Sequence, residues 1–457
     1  MTKKLDWDDL RRKQSLPGVW SSPSAASEVV RQLGGLARWC LKPELLRLAA
    51  ENDAIPPAYR DAWRTRPQLP ATHGSCSVVF ATHSQDRLPL MRPAFALPLR
   101  WVQGQKHSPR LPAALVQLAT EVAAMFPAHH RIRGCEWGLQ PGEELGDTDL
   151  SDMPLAGNSG WASLAAGLLV AAEGGTPDPQ VWATGSWDHR SGVQCVEFLK
   201  EKLDLAIESG VKVFFVPFAQ ADEARGLRGD IEIGVLRMAE REPSRALAEL
   251  ALRLETPPPP PSGPDEAAEF DRCVAYYLKR PRGRPSTTQF YWSHLLPTIT
   301  RRCRSQVLSE YPGWQPTHLV TIVSGSPELV PLAARALDVT HCLLLYTPSA
   351  EPLRDQTRAM QMVKQLLEAD GRACVPGPFE DNRSLEYQIP DVVRRFGQGQ
   401  PPESLVLDLT PGNKWMTWVA DRAMLTKSWR VYVRNDTLTA ADRRVRPGSE
   451  RLICWQI

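Results

Sequence analysis

The sequence predicts an α/β protein made of two α/β units, and three observations carry that reading. Residues 317–457 repeat a strand–loop–helix pattern, the signature of a parallel sheet flanked by helices. Residues 69–255 interleave short apolar strand runs with helices of helical apolar spacing. Between them lies 256–264, with five consecutive prolines, which predicts a stiff, extended linker and the clearest boundary in the chain.

Taken in order, residues 1–68 predict a helical leader, with helical spacing over 24–40 and 43–52 broken by proline-rich turns. Residues 69–255 open with strand text at 76–80 and 95–101 and continue with a helix over 111–126. The turn Gly157-Asn158-Ser159 then enters a small-residue helix over 160–172. A strand leads into Ala183-Thr184-Gly185. A helix carrying Leu199, Leu203, Ala206 and Ile207 on one face follows, with Lys202 near the edge of that face. A strand at 230–236 and a helix to Leu254 close the unit. Residues 265–316 predict a basic helical bridge. In 317–457, strands at 318–323, 342–346 and 404–408 are each followed by a small, hydroxylated or Gly-rich loop. Helices follow those loops, through Leu337, over 354–369 and after 416. In open α/β sheets that strand edge is where ligands sit, and helix N-termini there favour anions.

Composition narrows the function classes. The chain has 457 residues, 42% of them hydrophobic, 41 prolines and a formal net charge of +2, which describes a soluble globular protein of two to four domains. No apolar run approaches a membrane span, and the N-terminus lacks a signal-peptide core. Nine cysteines are scattered without a CxxC pair, so we expect reduced thiols, a cytoplasmic location and no zinc ribbon. His129-His130 follows a helix end with no carboxylate or cysteine ligand near it in sequence, and no metal site is expected. No GxxxxGK[ST] loop occurs, which excludes a P-loop ATPase, and no GxGxxG with a downstream acid, which argues against a dinucleotide cofactor.

Two constellations carry chemistry. A serine in a tight Gly-flanked turn at a helix start, with a lysine at a distance, is what a Ser-Lys dyad hydrolase requires. The hydroxyl needs a base, and a lysine is one only when desolvation keeps it neutral. Amides at the start of the helix can stabilise a tetrahedral oxyanion. The second is Asp408-Leu-Thr410-Pro411-Gly412-Asn413-Lys414, where Thr410 and the Gly412 and Asn413 amides can hold a phosphate or ribose and Lys414 adds positive charge. Ser324, Gly325 and Ser326 fall on the first strand's loop, the other usual ligand edge.

The first constellation resembles the proteolytic domain of the Lon family. Ser159 with its small-residue helix, Ala183-Thr184-Gly185, and Phe198-Leu-Lys-Glu-Lys-Leu203 running on to Val216-Pro217 stand in the family's order and spacing. The resemblance implies a serine endopeptidase with Ser159 as nucleophile, Lys202 as base and Thr184 orienting the lysine. Ser186 stands where the family usually has glutamate, and Asn158 where proline is common.

The loop at 408–416 resembles that of CARF domains, Rossmann-fold sensors of cyclic oligoadenylates in CRISPR systems; Pro411 and Asn413 replace a Gly and a Thr of the common pattern. The combination implies a cyclic tetra- or hexaadenylate as activating ligand, a dimer or higher oligomer, and cleavage of a partner protein in type III CRISPR antiviral defence. With no ATPase, such a protease must be held in check by conformation or assembly. One competing signal is Lys279-Arg-Pro-Arg-Gly-Arg-Pro285, which looks like an AT-hook whose Arg-Gly-Arg core enters an A·T-rich minor groove. It supports an alternative, a non-enzymatic nucleotide-sensing regulator that uses a Lon-like scaffold and binds DNA.

Overall fold

The computed structural model describes all residues except 1–2, 5, 16–17, 19–20, 65–69, 82–90, 154, 156–157, 240, 281–284, 325–326, 349–355, 380–384, 412–413 and 436–443, and gives the backbone alone at 3–4, 7, 14, 58–59, 62, 385 and 414. The chain is mixed α/β with parallel sheets. It divides into two compact units, Met1–Thr256 and Pro257–Ile457.

In the first unit, Ser75–Ala81, Ala94–Gln103 and Trp137–Pro141 form an antiparallel sheet, with Val79 opposite Ala96. Val181–Ala183, Val213–Pro217 and Glu232–Leu236 form a parallel one, with Val213–Pro217 in the centre. Strand side chains alternate between faces, and here each face has its own cover. Val78, Phe80, Val181, Ala183 and Phe215 join the core that contains the helix Trp161–Ala172. Val79, Ala96, Trp182, Phe214 and Val216 pack with Leu199, Leu203 and Ala206 of the helix Leu199–Glu208. The helix that follows Ser159 and the helix that carries Lys202 are thereby placed on opposite faces of the same sheets.

The helices of the leader, among them Pro23–Leu33 and Pro43–Ala50, share that first core through Val29, Leu33, Leu45 and Ala49. The leader is part of the unit rather than an appendage. Its caps follow local rules: Ser22 accepts from the Ala25 amide, and Pro23 sits in the first turn where its missing N–H costs nothing.

In the second unit six strands lie in the order Ala373–Pro378, His341–Tyr346, His318–Ile322, Leu405–Asp408, Trp429–Asn435, Glu450–Gln456. All pairings are parallel except the last. The expectation of a parallel sheet therefore holds for five strands, and a hairpin-like return adds an antiparallel edge. One face packs on helices Glu266–Lys279, Leu296–Glu310, Val330–Ala336 and Thr357–Ala369, the other on Leu385–Gly397 and Lys414–Ala423.

Two expectations change. The segment expected to bridge the units belongs to the second unit's core, where Phe270, Tyr277, Tyr291, Leu295 and Ile299 pack with Leu319 and Val431. The proline run is also tied down inside this unit. The Cys273 thiol donates to the Pro259 carbonyl at 3.4 Å and the Ser262 amide to Glu269 at 2.7 Å. The edge strand Ala373–Pro378 tolerates two prolines because of its hydrogen-bond phase. Ala373 N–H and Phe379 N–H donate inward to Thr340 and Tyr346, so Pro376 and Pro378 fall on the outward side, where no ladder bond is needed.

Candidate functional site

Ser159 lies in a 3-10 turn, Asn158–Gly160, immediately before the helix Trp161–Ala172. The turn presses onto the first sheet, and a Cβ built on Gly160 would stand 2.5 Å from Val78 Cγ1, so only glycine fits without displacement. The Ser159 carbonyl is fixed from the neighbouring sheet, accepting from the Gly185 amide at 3.1 Å and from the Thr184 hydroxyl at 3.3 Å. Ala162 N–H donates back to Gly185 O at 3.2 Å, and the Ser163 hydroxyl to Ala183 O at 2.8 Å. Four bonds thus tie the turn and first helical residues to Ala183-Thr184-Gly185. The Ala162 amide is consumed in this lattice, so it is not among the donors an oxyanion would find.

Lys202 is 2% exposed. It sits inside the buried stripe Leu199, Lys202, Leu203, Ala206 rather than at its edge. These positions follow the i, i+3, i+4, i+7 rule, so the helix that buries its leucines necessarily buries the lysine as well. Removal of water holds its pKa down at about 8, from 10.5 for a free lysine, while Glu197 and Glu201 act in the opposite direction. Among the described residues its ammonium has no hydrogen-bond partner.

Ser159 and Lys202 open on one cleft of about 510 Å³, walled by Ala81, Leu155, Ser186, Val196 and Phe198. Phe198 caps the lysine's helix in the left-handed region, φ 57° and ψ 39°, a costly conformation for a bulky residue. The strand order thus brings two of the three catalytic candidates to one cavity. The third, Thr184, is fully buried, and among the described residues its hydroxyl serves the Ser159 carbonyl rather than the lysine. A larger hollow of about 650 Å³ lies along a different stripe of the same helix, Glu201, Asp204, Leu205 and Glu208, facing Arg38 and Arg92. Neither Ser159 nor Lys202 lines it.

One residue escaped the sequence reading. Gln220, 8% exposed, holds the cleft wall at Val196 through both atoms of its amide. Nothing local in the sequence signals a pairing across that distance.

In the second unit, Ser324 and Thr410 follow the ends of adjacent parallel strands, His318–Ile322 and Leu405–Asp408, and so share one edge of the sheet. The Thr410 hydroxyl accepts from Val433 N–H at 2.7 Å, and its own amide donates to Asp408 at 2.9 Å. Thr410 is thus engaged in fastening its loop to the next strand, where the sequence suggested a ligand contact. Asp408 beneath it is fully buried and also accepts from the Thr321 hydroxyl at 3.1 Å. Burial pushes its carboxyl up to about 6, with the Thr410 and Thr321 hydrogen bonds acting in the opposite sense. Gly325, Ser326, Gly412 and Asn413 lie outside the described residues, as does the Lys414 side chain; the Lys414 backbone begins the helix Lys414–Ala423.

His129 and His130, which lack a carboxylate neighbour in sequence, gain one from the fold. Glu173 approaches His129 Nε2 at 3.3 Å, and ligand-type atoms of the three residues lie within 4.8 Å of one another. Arg131 Nε donates to His130 Nε2 at 3.2 Å, which places a cation against the group. In the basic turn, Arg280 stacks on the Tyr276 ring at 3.9 Å; 281–284 are outside the described residues. Among the described residues no helix is long and apolar enough to cross a membrane.

No protein-family model matches the chain, and a search of curated proteins finds no match.

Proposed function

We propose that the chain is a serine endopeptidase with a Ser159–Lys202 dyad, switched on by a cyclic oligoadenylate bound at the C-terminal unit. The N-terminal unit would then be a Lon-like protease domain and the C-terminal unit a Rossmann-like CARF sensor, together acting in type III CRISPR defence. The observation that carries the catalytic half is a lysine 2% exposed, with its pKa lowered to about 8, lining the same cleft as a serine at a helix start. A lysine buried only for packing would cost free energy without return, and such perturbed groups concentrate at functional sites.

The chemistry follows from these groups. Neutral Lys202 removes the Ser159 proton as Oγ attacks a peptide carbonyl. The resulting ammonium then returns that proton to the departing amine, leaving an ester on Ser159. Water, deprotonated by the again neutral lysine, cleaves the ester. Thr184 and Gly185 act on Ser159's backbone and keep the nucleophile in place.

The sensor half rests on the sheet edge that Ser324 and the 408–416 loop share, with Lys414 opening a helix there. A phosphate at a helix start gains from amide donors and from the helix dipole.

The test uses the full chain, a protein extract, and cyclic tetra- or hexaadenylate, with new N-termini read by mass spectrometry. Cleavages that need both nucleotide and Ser159 support the proposal. Equal cleavage without nucleotide would overturn the gating, and cleavage that survives Ser159→Ala would overturn the nucleophile. Lys414→Glu, which sets a like charge beside the phosphate, abolishes nucleotide binding in calorimetry if the sensor edge is assigned correctly.

A further inference from the structure

Cys342 and Cys374 are register partners on adjacent parallel strands, His341–Tyr346 and the sheet-edge strand Ala373–Pro378. Register partners share a face of a sheet. Both belong to the face covered by helix Thr357–Ala369, with Cys342 fully buried in that core and Cys374 packed against it, partly exposed. Strand spacing puts such α-carbons roughly 4.8 Å apart, inside the range of about 4.4–6.8 Å that a disulfide requires.

We propose that Cys374 and Cys342 form a reversible peroxide-responsive pair, with Cys374 as the oxidised thiol and Cys342 as the resolving one, closing to a disulfide across the edge of the second unit's sheet. This rests on the register and burial of the two residues and is independent of the protease reading.

The division of labour follows from the surroundings. Cys374 reaches solvent at the edge strand and Cys342 does not. The neighbouring Cys342 thiol holds the Cys374 pKa down against the opposing effect of burial; Lys364 and Arg372 lower it further and Glu368 raises it. The same pairing, together with burial, pushes Cys342 up. An accessible thiol favoured as thiolate beside a buried partner is the arrangement that redox-sensing cysteines need.

In the first step the Cys374 thiolate attacks one oxygen of hydrogen peroxide, the O–O bond breaks, and hydroxide leaves and takes up a proton as water. In the second, the Cys342 sulfur attacks the sulfur of the Cys374 sulfenic acid. The S–O bond breaks and the departing hydroxyl carries Cys342's proton away as water. Two thiols are oxidised and one peroxide is reduced. Side chains on parallel strands point alongside rather than toward each other, so the bond forms under strain and is readily reduced. An edge strand, held by one neighbour only, can shift to accommodate it.

The experiment treats the folded full chain with hydrogen peroxide, blocks remaining thiols before unfolding, and maps cysteine states by peptide mass spectrometry. The expected product is one crosslinked peptide joining Cys342 to Cys374, lost on dithiothreitol treatment. In Cys342→Ser, Cys374 should accumulate as a dimedone-trapped sulfenic acid; in Cys374→Ser, Cys342 should remain a free thiol. The proposal fails if wild-type Cys374 is recovered as free thiol, as sulfinic acid or joined to another cysteine, while the exposed Cys135 and Cys195 are oxidised. It also fails if dimedone labels Cys374 equally in wild type and Cys342→Ser.

Discussion

The side-chain amide of Gln220 grips Val196 at both ends, its Oε1 accepting from the Val196 N–H at 2.8 Å and its Nε2 donating to the Val196 carbonyl at 2.9 Å. Val196 lines the cleft beside Phe198, whose left-handed backbone starts the helix of Lys202. The clamp therefore sets where that helix begins. Gln220→Ala strips both bonds from a buried backbone and should cost about 2–6 kcal/mol, since each orphaned buried group costs about 1–3 kcal/mol. Hydrogen exchange at the Val196 amide should quicken, and Ser159-dependent cleavage should fall at least tenfold. Unchanged exchange at Val196 would show that the loop holds itself.

The proposed dyad predicts a pH profile. Lys202 must be neutral to accept the serine proton, and its pKa stands at about 8, so the rate of Ser159 acylation by an activated ester should climb through pH 8 and level off above it. The same shift is a stability statement. A lysine whose folded pKa lies below its unfolded value of 10.5 gives the unfolded chain the greater proton affinity, so stability is highest above 10.5 and is lost as pH falls through 8. At pH 7 the fold carries the whole penalty. Each pKa unit is about 1.4 kcal/mol, and Lys202→Met should stabilise the first unit at pH 7 by about 1–3 kcal/mol while abolishing acylation. The gain should vanish by about pH 11. A variant that is inactive and also less stable at pH 7 would mean the lysine is held by bonds that favour its charge.

Gly160 offers a test of close approach. In Gly160→Ala the new methyl meets Val78 Cγ1 at 2.5 Å, and overpacking of this kind costs about 1–3 kcal/mol. The turn that carries Ser159 must move away from the sheet to relieve it. Melting temperature and cleavage should both drop, and Val78→Ala in the same chain should restore much of each, because it removes the clashing methyl. Additive losses in the double variant would place the defect elsewhere.

How much of this was legible in the sequence depends on the range of the forces involved. The strands at 318–323 and 342–346 and the helix after Ser159 declare themselves through apolar runs and small residues. Lys202 reads as helical from the sequence, but at the edge of the apolar face, because counting apolar letters omits a lysine that shares their stripe. Leu385–Gly397 carries Pro390 inside it, and Ala373–Pro378 carries two prolines, which hide a helix and a strand from local propensity. Trp429–Asn435 and Glu450–Gln456 pair residue for residue from Trp429↔Gln456 to Asn435↔Glu450, but Arg430 and Glu450 are buried while Tyr432, Ile453 and Trp455 are exposed, so the polar and apolar letters do not mark the faces. The Gln220 clamp and the Thr410–Val433 bond are tertiary facts with no local signature.

Asp408 supplies the last prediction. Its carboxyl is fully buried at the foot of the 408–416 loop, accepting from the Thr410 amide and the Thr321 hydroxyl, with its pKa raised from 3.8 to about 6. A carboxyl whose folded pKa exceeds its unfolded value contributes stability below 3.8 that is lost as pH rises through 6. Above pH 6, therefore, the charge is a burden on the second unit, limited by the two hydrogen bonds. Asp408→Asn keeps an acceptor for the Thr410 amide and lets Thr321 reverse its bond, so it should stabilise this unit at pH 8 by about 1–2 kcal/mol, the difference narrowing toward pH 5. Asp408→Ala leaves the Thr410 amide without its acceptor and should destabilise by about 1–3 kcal/mol. If an anionic ring binds at this edge as proposed, it disfavours the ionised carboxyl further, and binding takes up protons. Affinity for a cyclic oligoadenylate should then tighten from pH 7 to pH 6 in the wild type and lose that dependence in Asp408→Asn. Calorimetry in buffers of different ionisation enthalpy reads the uptake directly, and equal uptake by the wild type and Asp408→Asn would place the responsible group elsewhere.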